Sequence, residues 1–321
     1  DLRPYLAADE DEVEPTDFYP GDFRAGIVQS GPHAGERFGL PRYTNASVIF
    51  FNRTAFDAAG VTAPDRLAQQ GAWTWDALRD AARKLTLRAE GRVTRYGYRT
   101  FFGDARFMPW VWGAGGALLD GPRQVAIDRP AAIAGLNYLH ALIWEDEVAT
   151  FQGAFERGEI AFREQGSKDM GPYGNVIGDA FEWDIAPLPA GPAGVQGNWV
   201  AGDMWAISRT TKHPEAAWEF LKFLTSTEGM EIMTRLTGLP PSRFSAYDAL
   251  RDAYRERNVV YHLQAASTAR VLPFSVVPAA KDVSRIIDET IRASLERNAL
   301  PIESAAKQAA ERIRAIYAQR R

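Results

Sequence analysis

The sequence contains no cysteine, which excludes disulfide bonds, thiolate catalysis and cysteine-ligated metals. No apolar run approaches the ~18–20 residues that a transmembrane helix needs. Lysine and arginine do not form a long run and the net charge is −4, so nucleic acid is not an expected partner, because backbone binding needs clustered cations. With 321 residues and 46% hydrophobic content, the chain is expected to fold into roughly two domains.

Sequence patterns of enzymes and cofactor sites are also missing. The four histidines are scattered and none lies in a metal-ligand spacing such as HExxH. The run GAGG at 113–116 follows aromatic helix residues rather than a strand, so it is not a dinucleotide fingerprint. Neither GxSxG nor GxxxxGK[ST] occurs. We therefore predict no catalytic residues, no metal and no cofactor, and expect a protein that is not an enzyme.

Strand-like and helix-like segments alternate along the chain, which predicts an α/β fold. Apolar and β-branched runs predict strands at 35–41, 47–51, 95–100 and 182–189, and a further strand after Gly158. Amphipathic segments predict helices at 54–60, 129–147, 213–225 and 226–236, with more in the tail. Thr74 is expected to cap the helix that starts with WDALRDAARKL.

What the sequence does have is aromatic residues beside polar ones in irregular, glycine-bearing places. Aromatics make up 12% of the chain, with nine tryptophans. The stretch GNWVAGDMWAIS (197–208) is the clearest example, and others are 43–45, 106–112, Lys168 with Tyr173, and Arg270 with Phe274. A polyol ligand needs this mixture, since rings pack on its C–H faces and planar polar groups bind its hydroxyls. Ordinary core packing is an equally good explanation for each residue taken alone.

The order of several motifs resembles the sugar-binding family of extracellular solute-binding proteins of bacterial ABC importers, which includes maltose-binding proteins. The motifs that carry the resemblance run from DLRPYLAADEDEVEPTDFYPGDF through GLPRYTNASVIFFNRTAFDAAGV, WTWDALRDAARKLT, FERGEIAF and WDIAPLPAGPAG to GNWVAGDMWAISRTTKHPEAAWEFLKFLTSTEGM. Phe51 stands where the family has a tyrosine.

The resemblance implies an α/β fold with two lobes joined by crossing strands near 45–51, within 197–208 and near 238–244. The N-terminal lobe is then expected at 1–46 plus 204–240, and the C-terminal lobe at 47–203 plus 241–321. The family has about two further β-α units, an export signal and often a lipid-attached cysteine ahead of the matching start. A partial first lobe, lipid anchoring of the full-length form and a periplasmic or extracellular location are therefore expected.

The resemblance also implies ligand-binding residues. Asn45 and Asp203 are expected to bind hydroxyls, Trp199 to stack on a sugar face, and Trp205 to have a packing role. Strand alternation would place Trp199 and Asp203 on one face of a continuous crossing strand. The full predicted set is Tyr43, Asn45, Phe107, Trp110, Lys168, Tyr173, Trp199, Gly202, Asp203 and Arg270.

The function that the resemblance implies is capture of a sugar or oligosaccharide in an interlobe cleft and delivery to an ABC permease, by a monomer. Three alternatives stay open, and one of them is a sensor partner for chemotaxis or for a kinase. Arg42, Arg106, Lys168 and Arg270 are enough cations for an anion site, which would suit a phosphorylated polyol such as a glycerophosphodiester. A glycoside hydrolase would need two facing carboxylates, which a sequence alone does not show.

Overall fold

The computed structural model describes residues 1–29, 31–121, 123–273 and 277–319. The strands are β1 Leu40–Pro41, β2 Ser47–Asn52, β3 Leu87–Ala89, β4 Arg92–Arg99, β5 Ala149–Thr150, β6 Ile160–Gly166, β7 Trp183–Ala186, β8 Trp199–Val200, β9 Met204–Trp205 and β10 Arg270–Val271.

The α-helices are α1 Arg3–Ala8, α2 Glu10–Val13, α3 Pro20–Ala25, α4 Arg53–Ala58, α5 Pro64–Gln69, α6 Trp75–Leu85, α7 Met108–Gly113, α8 Pro130–Trp144, α9 Met170–Ile177, α10 Pro214–Thr225, α11 Thr227–Thr237, α12 Tyr247–Ala253, α13 Val260–Thr268, α14 Ala280–Ile287, α15 Ala293–Arg297 and α16 Ile302–Gln319. A π-helical turn, Asp288–Arg292, joins α14 to α15.

The chain divides into two compact units. Unit 1 contains 1–48, 166–175 and 198–271, and unit 2 contains 49–165, 176–197 and 272–321. The chain therefore passes between the units five times, at 48/49, 165/166, 175/176, 197/198 and 271/272.

Unit 2 is built on a six-stranded sheet of order β3-β4-β6-β2-β7, with β5 paired to β4. β4 runs parallel to β5 and β6, whereas β2 and β7 are antiparallel. Every residue of β2 and β7 is buried, as expected for apolar strands covered on both faces. The rings of Phe51, Phe56, Phe162 and Tyr98 pack in a chain beside them, with centroid separations of 5.2–5.7 Å.

The helices of unit 2 begin and pack as their sequences predict. The Thr74 hydroxyl accepts a hydrogen bond from the Ala77 amide at 3.3 Å, which caps α6. α7 and α8 approach closely at Gly135, where an added Cβ would lie 2.2 Å from the Trp110 carbonyl oxygen. Glycine is required there because any side chain would overlap the backbone of the neighbouring helix.

Unit 1 has only short strand pairs among its described residues. β1 pairs with β9 antiparallel, and β8 pairs with β10 in parallel. Its apolar core lies between helices instead, and its buried members are Leu2, Val13, Phe18, Leu40, Trp218, Leu221, Met230 and Ala246.

A buried arginine ties distant segments of unit 1 together. Arg243 is 2% exposed and donates hydrogen bonds to the Thr225 and Val13 carbonyls, at 2.5 Å each. It also donates to the Asp17 carboxylate at 3.0 Å and lies 3.9 Å from the centre of the Phe18 ring. Charged groups are tolerated inside a protein when paired in this way.

The compact units differ from the predicted lobes mainly at 241–271, which belong to unit 1. The reason is pairing that the sequence does not reveal: the Tyr19 amide donates to the Ser242 carbonyl, the Phe244 amide donates to the Asp17 carbonyl, and β10 pairs with β8. The first passage between units, at 48/49, lies within the predicted crossing at 45–51. No passage lies at 238–244.

The predicted strands at 47–51, 95–100 and 182–189 and the predicted helices are confirmed, with shifts of a few residues at their ends. The strand predicted at 35–41 is largely wrong. Only Leu40–Pro41 form a strand, because the segment before them makes turns and one isolated bridge, Ile27 with Arg37.

Candidate functional site

The segment 197–208 is not the single strand that we expected. β8 ends at Val200 and β9 begins at Met204, so Ala201, Gly202 and Asp203 lie in a non-strand link. Gly202 is the close-packed point of this link: a Cβ added there would lie 2.2 Å from the Tyr43 carbonyl oxygen. The alternation that placed Trp199 and Asp203 on one strand face does not apply to this geometry, which is a correction to the prediction.

Trp199 is fully buried. Its amide donates a hydrogen bond to the Ser47 hydroxyl at 3.0 Å, and its Cα is in register with that of Arg270 in the parallel pair of β8 and β10. The indole has no exposed surface in this structure, so the predicted stacking on a sugar would require it to become accessible.

Asp203, by contrast, has a side chain that is 60% exposed. Its carboxylate lies 3.9 Å from the Arg42 guanidinium, and its carbonyl oxygen accepts a hydrogen bond from the Arg42 amide at 2.8 Å. Burial raises the pKa of the neighbouring Tyr43 phenol to about 12, and the Asp203 charge adds to this shift. Tyr43 therefore stays neutral and can act as a hydrogen-bond donor.

Trp205 completes this group. The Arg42 guanidinium lies 5.0 Å from the centre of the Trp205 ring and 5.6 Å from that of Tyr43, distances typical of cation–π contacts. Trp205 is partly buried against the helical core of unit 1, which agrees with its predicted packing role. We call Arg42, Tyr43, Asp203 and Trp205 the unit 1 cluster.

Asn45 contacts Lys168 in unit 1, and this hydrogen bond joins the Asn45 side chain to the Lys168 backbone amide. The buried Asn45 side-chain oxygen accepts a hydrogen bond from the Lys168 amide at 3.2 Å, and the Asn45 carbonyl accepts one from the Ala201 amide at 3.2 Å. Gly166 allows this contact, because a Cβ there would lie 2.0 Å from the Asn45 side-chain oxygen. Asn45 therefore fixes the backbone beside Gly202, and its contact with ligand stays a prediction.

Three further predicted positions have different environments. Tyr173 lies in α9 and is 8% exposed, and Arg270 is exposed in β10 beside Trp199. Phe274 lies outside the described residues. Their predicted contacts with ligand stay predictions.

Phe107 and Trp110 belong to unit 2, where both are buried. Phe107 stacks on Phe102 with centroids 4.9 Å apart, and Trp110 packs against Trp75 at 5.5 Å and Tyr138 at 5.4 Å. These contacts account for both rings as core residues of the unit. Their predicted role in lining a ligand site stays a prediction.

Arg106, one of the four cations considered for an anion site, lies in unit 2 and donates a hydrogen bond to the Gln165 side chain at 2.6 Å. The sequence reasoning did not identify Asp22, which is a fully buried carboxyl group beside Gly202 in unit 1. The sequence signal for Asp22 was weak, because one acidic residue in a short helix is ordinarily exposed.

Nothing in the described part of the chain groups three or more potential metal-ligating side chains. His262 is fully buried and its Nδ1 lies 2.9 Å from the Ser167 hydroxyl. Burial lowers the pKa of His262 to about 3, so it stays neutral and serves the core of unit 1. Among the described residues, no helix has the length and apolarity to cross a membrane.

Sequence comparison finds relatives of this chain among known proteins. The chain is 24% identical over 253 residues to a putative binding protein of Brucella abortus, covering 71% of this chain and 57% of that protein. The chain thus spans just over half the length of the curated relatives that it matches first.

Solved structures give a consistent fold. Maltose-bound MalE3 of T. maritima superposes with a TM-score of 0.77 at 24% identity, over 97% of this chain and 79% of that one. An ABC substrate-binding protein from Listeria monocytogenes in complex with cycloalternan gives 0.81 at 20% identity, over 99% and 80%. These likenesses confirm the predicted α/β fold of the periplasmic-binding-protein kind.

The predicted family resemblance is confirmed by a direct match. The model described as bacterial extracellular solute-binding protein matches residues 1–231, which is well over half of the chain. The chain belongs to the bacterial extracellular solute-binding protein family.

Proposed function

We propose that this protein is the solute-binding component of an ABC importer and that it captures a sugar or oligosaccharide. The family match supports the class of function. Sugar as the ligand is supported by the maltose and the cycloalternan bound to two structural neighbours, and by the chemistry of the unit 1 cluster.

The observation that carries the proposal is the arrangement of that cluster. It combines a partly exposed tryptophan ring, a buried tyrosine, an exposed carboxylate and a guanidinium within one small region. Aromatic faces pack against the C–H faces of a pyranose. Carboxylate and guanidinium groups form strong, directional hydrogen bonds with hydroxyls. Asp203 would accept hydrogen bonds from hydroxyls and Arg42 would donate them. In addition to its packing role, the part of the Trp205 ring that is left exposed would supply the apolar face.

The proposed partner is a membrane permease that accepts the sugar from the loaded protein, which works as a monomer in the periplasm or on the outer face of the cell. Because the relatives are binding proteins, the ligand would be released chemically unchanged. The ligand-binding roles of the other predicted residues, and lipid anchoring of the full-length form, belong to the same proposal.

A phosphorylated polyol is less well supported as the ligand. Of the four cations considered, Arg42, Lys168 and Arg270 belong to unit 1 and Arg106 to unit 2. Arg42 faces Asp203, whose negative charge opposes phosphate binding, and Arg106 is bonded to Gln165. The charges of the unit 1 cluster suit a neutral polyol better than an anion.

The experiment is a thermal-shift screen of the chain against neutral oligosaccharides, including maltotetraose, with glycerophosphocholine as the phosphodiester comparison. A ligand at 100 times its Kd adds about 2.7 kcal/mol of stability, so a bound sugar raises Tm clearly. Chromatography of the recovered sugar separates binding from hydrolysis. Stabilisation by glycerophosphocholine alone, or appearance of cleaved sugar, would contradict the proposal.

A further inference from the structure

Asp22 is a carboxyl group inside unit 1 that no described cation neutralises. Its side chain is fully buried, and neither oxygen makes a hydrogen bond of normal geometry to a described residue. An ionised carboxylate without a cation or donors is strongly unfavourable in a protein interior. The neutral acid is therefore the form that this environment favours.

Asp22 lies where two other segments of unit 1 meet its helix, α3. The Thr44 hydroxyl and the Gly202 amide are close enough to Asp22 to lower its pKa. A Cβ added at Gly202 would lie 2.8 Å from the Asp22 Oδ1 atom and 2.2 Å from the Tyr43 carbonyl oxygen. The carboxyl group and that carbonyl thus flank the same Cα, one residue from Asp203.

The titratable groups on the elements packed against α3 do not supply a countercharge. On α13, His262 is neutral because burial lowers its pKa to about 3. Tyr19, which precedes α3, has a pKa raised by its own burial and then by the Asp22 charge. Arg42 faces Asp203 instead. The buried Arg37 packs on α3 but donates a hydrogen bond to the Phe23 carbonyl at 2.8 Å rather than to Asp22. The remaining titratable groups on these elements are Tyr261 on α13, Arg270 in β10, Tyr43 after β1 and Arg24 on α3 itself.

We propose that Asp22 is a positioning residue for the unit 1 cluster, and that its protonated form holds Tyr43 and Asp203 in place for ligand binding. The neutral acid has an O–H that can donate to the Tyr43 carbonyl or the Thr44 hydroxyl. Once ionised, the buried carboxylate has no described cation beside it, and the Thr44 hydroxyl and the Gly202 amide do not reach it in normal hydrogen-bond geometry. Ionisation therefore favours a rearrangement that brings donors or water to the carboxylate, and this rearrangement moves the link at 201–203, and Asp203 with it, relative to Tyr43.

The pH range of the transition follows from burial. Burial raises the pKa of Asp22 to about 7, and the Thr44 hydroxyl and Gly202 amide offset only part of that shift. The protonated, positioned form is therefore present below pH 7 and is lost above it. The binding part of the proposal rests on the proposed function, whereas the movement of the link does not.

The first test needs no ligand. Backbone amide shifts of Gly202 and Asp203 are followed by NMR from pH 5 to pH 9 in the wild type, in Asp22→Asn and in Asp11→Asn, an exposed charge-removal control. Both amides should titrate with a midpoint near 7 in the wild type and in Asp11→Asn. The transition should be absent in Asp22→Asn. A flat wild-type curve, or a transition that persists in Asp22→Asn, would overturn the proposal.

The second test measures maltotetraose binding by calorimetry at pH 6 and pH 8. Loss of one required proton above a pKa of about 7 should raise the wild-type Kd about tenfold between these pH values. Asp22→Asn should bind with a pH-independent Kd, and Asp11→Asn should behave as the wild type. Equal wild-type Kd values at the two pH values would overturn the proposed effect of Asp22 protonation on ligand binding. If maltotetraose does not bind at all, the sugar proposal fails for it, and the amide titration decides on Asp22 alone.

Discussion

The two compact units bury their apolar side chains in different ways. Unit 2 surrounds a six-stranded sheet whose strands β2 and β7 are wholly buried. Unit 1 has two-residue strand pairs and a helical core, and it leaves several large apolar side chains exposed, including Phe220 at 62% and Leu236 at 81%.

In our account the two units therefore have different roles: unit 2 contributes mainly stability, and unit 1 carries the proposed binding chemistry. In unit 2, stability comes from close-packed aromatic side chains around the sheet. In unit 1, the buried Arg243 holds loop segments together, Asp22 is buried against the link at 201–203, and Asp203 is the exposed member of the unit 1 cluster. Substitutions should therefore act mainly on stability in unit 2 and mainly on ligand affinity in the links of unit 1.

The largest effect is expected from Phe162→Ala in unit 2. Phe162 is fully buried and contacts the rings of Phe56, Trp73 and Tyr98. Removing a buried aromatic ring leaves a cavity and costs about 3–5 kcal/mol. Urea unfolding measures the change. The matched control is Phe220→Ala in unit 1, which should stay within about 0.5 kcal/mol because the ring is exposed. Equal losses of unfolding free energy in the two variants would contradict the proposed difference between the two units.

Gly202→Ala tests whether the link at 201–203 in unit 1 determines sugar affinity. The added methyl group would lie 2.2 Å from the Tyr43 carbonyl oxygen, so the link at 201–203 has to move. We expect sugar affinity to fall at least about tenfold, equivalent to 1.4 kcal/mol, with a smaller loss of stability than in Phe162→Ala. Ala201→Ser, at the exposed neighbouring position, is the control and should bind normally. Unchanged affinity in Gly202→Ala would show that the link does not carry the site.

Asp17→Asn is expected to have a smaller effect that depends on pH. Burial raises the pKa of Asp17, but hydrogen bonds from Ser245 and Arg243 more than offset it, so the net pKa is lowered. A lowered pKa contributes stability above the unfolded-state value of about 3.9, and that stability is lost as the pH falls through the folded value.

The variant should therefore lose about 1 kcal/mol at pH 7 and differ less from the wild type near pH 3, as measured by urea unfolding at each pH. Asp11→Asn, which removes an exposed carboxylate, should show little change at either pH. A constant difference between Asp17→Asn and the wild type across this range would contradict the assignment.

The sequence predicted the parts of the fold that depend on local pattern. The apolar run at 47–51 and the amphipathic helices at 213–237 are correct because periodicity and capping act within a few residues. The strand expected through 197–208 is interrupted, because β8 and β9 pair with partners about 70 and 160 residues away in sequence, β10 and β1.

The site was less predictable for the same reason. Proximity in the chain suggested Trp199 and Asp203 as partners, but burial separates the two: Trp199 is enclosed and Asp203 is exposed. Arg42 and Trp205 join Asp203 only through the pairing of β1 with β9. The burial of Asp22 likewise depends on segments that meet only in the folded unit.

The most direct test of sugar capture by the unit 1 cluster is calorimetric titration of the best oligosaccharide from the screen into wild type, Asp203→Ala and the exposed control Glu215→Ala. Hydrogen bonds to a charged group contribute about 1.5–3 kcal/mol. The account predicts saturable wild-type binding, an unchanged Kd in Glu215→Ala and a Kd raised about tenfold or more in Asp203→Ala. Equal affinity in Asp203→Ala and wild type would contradict it.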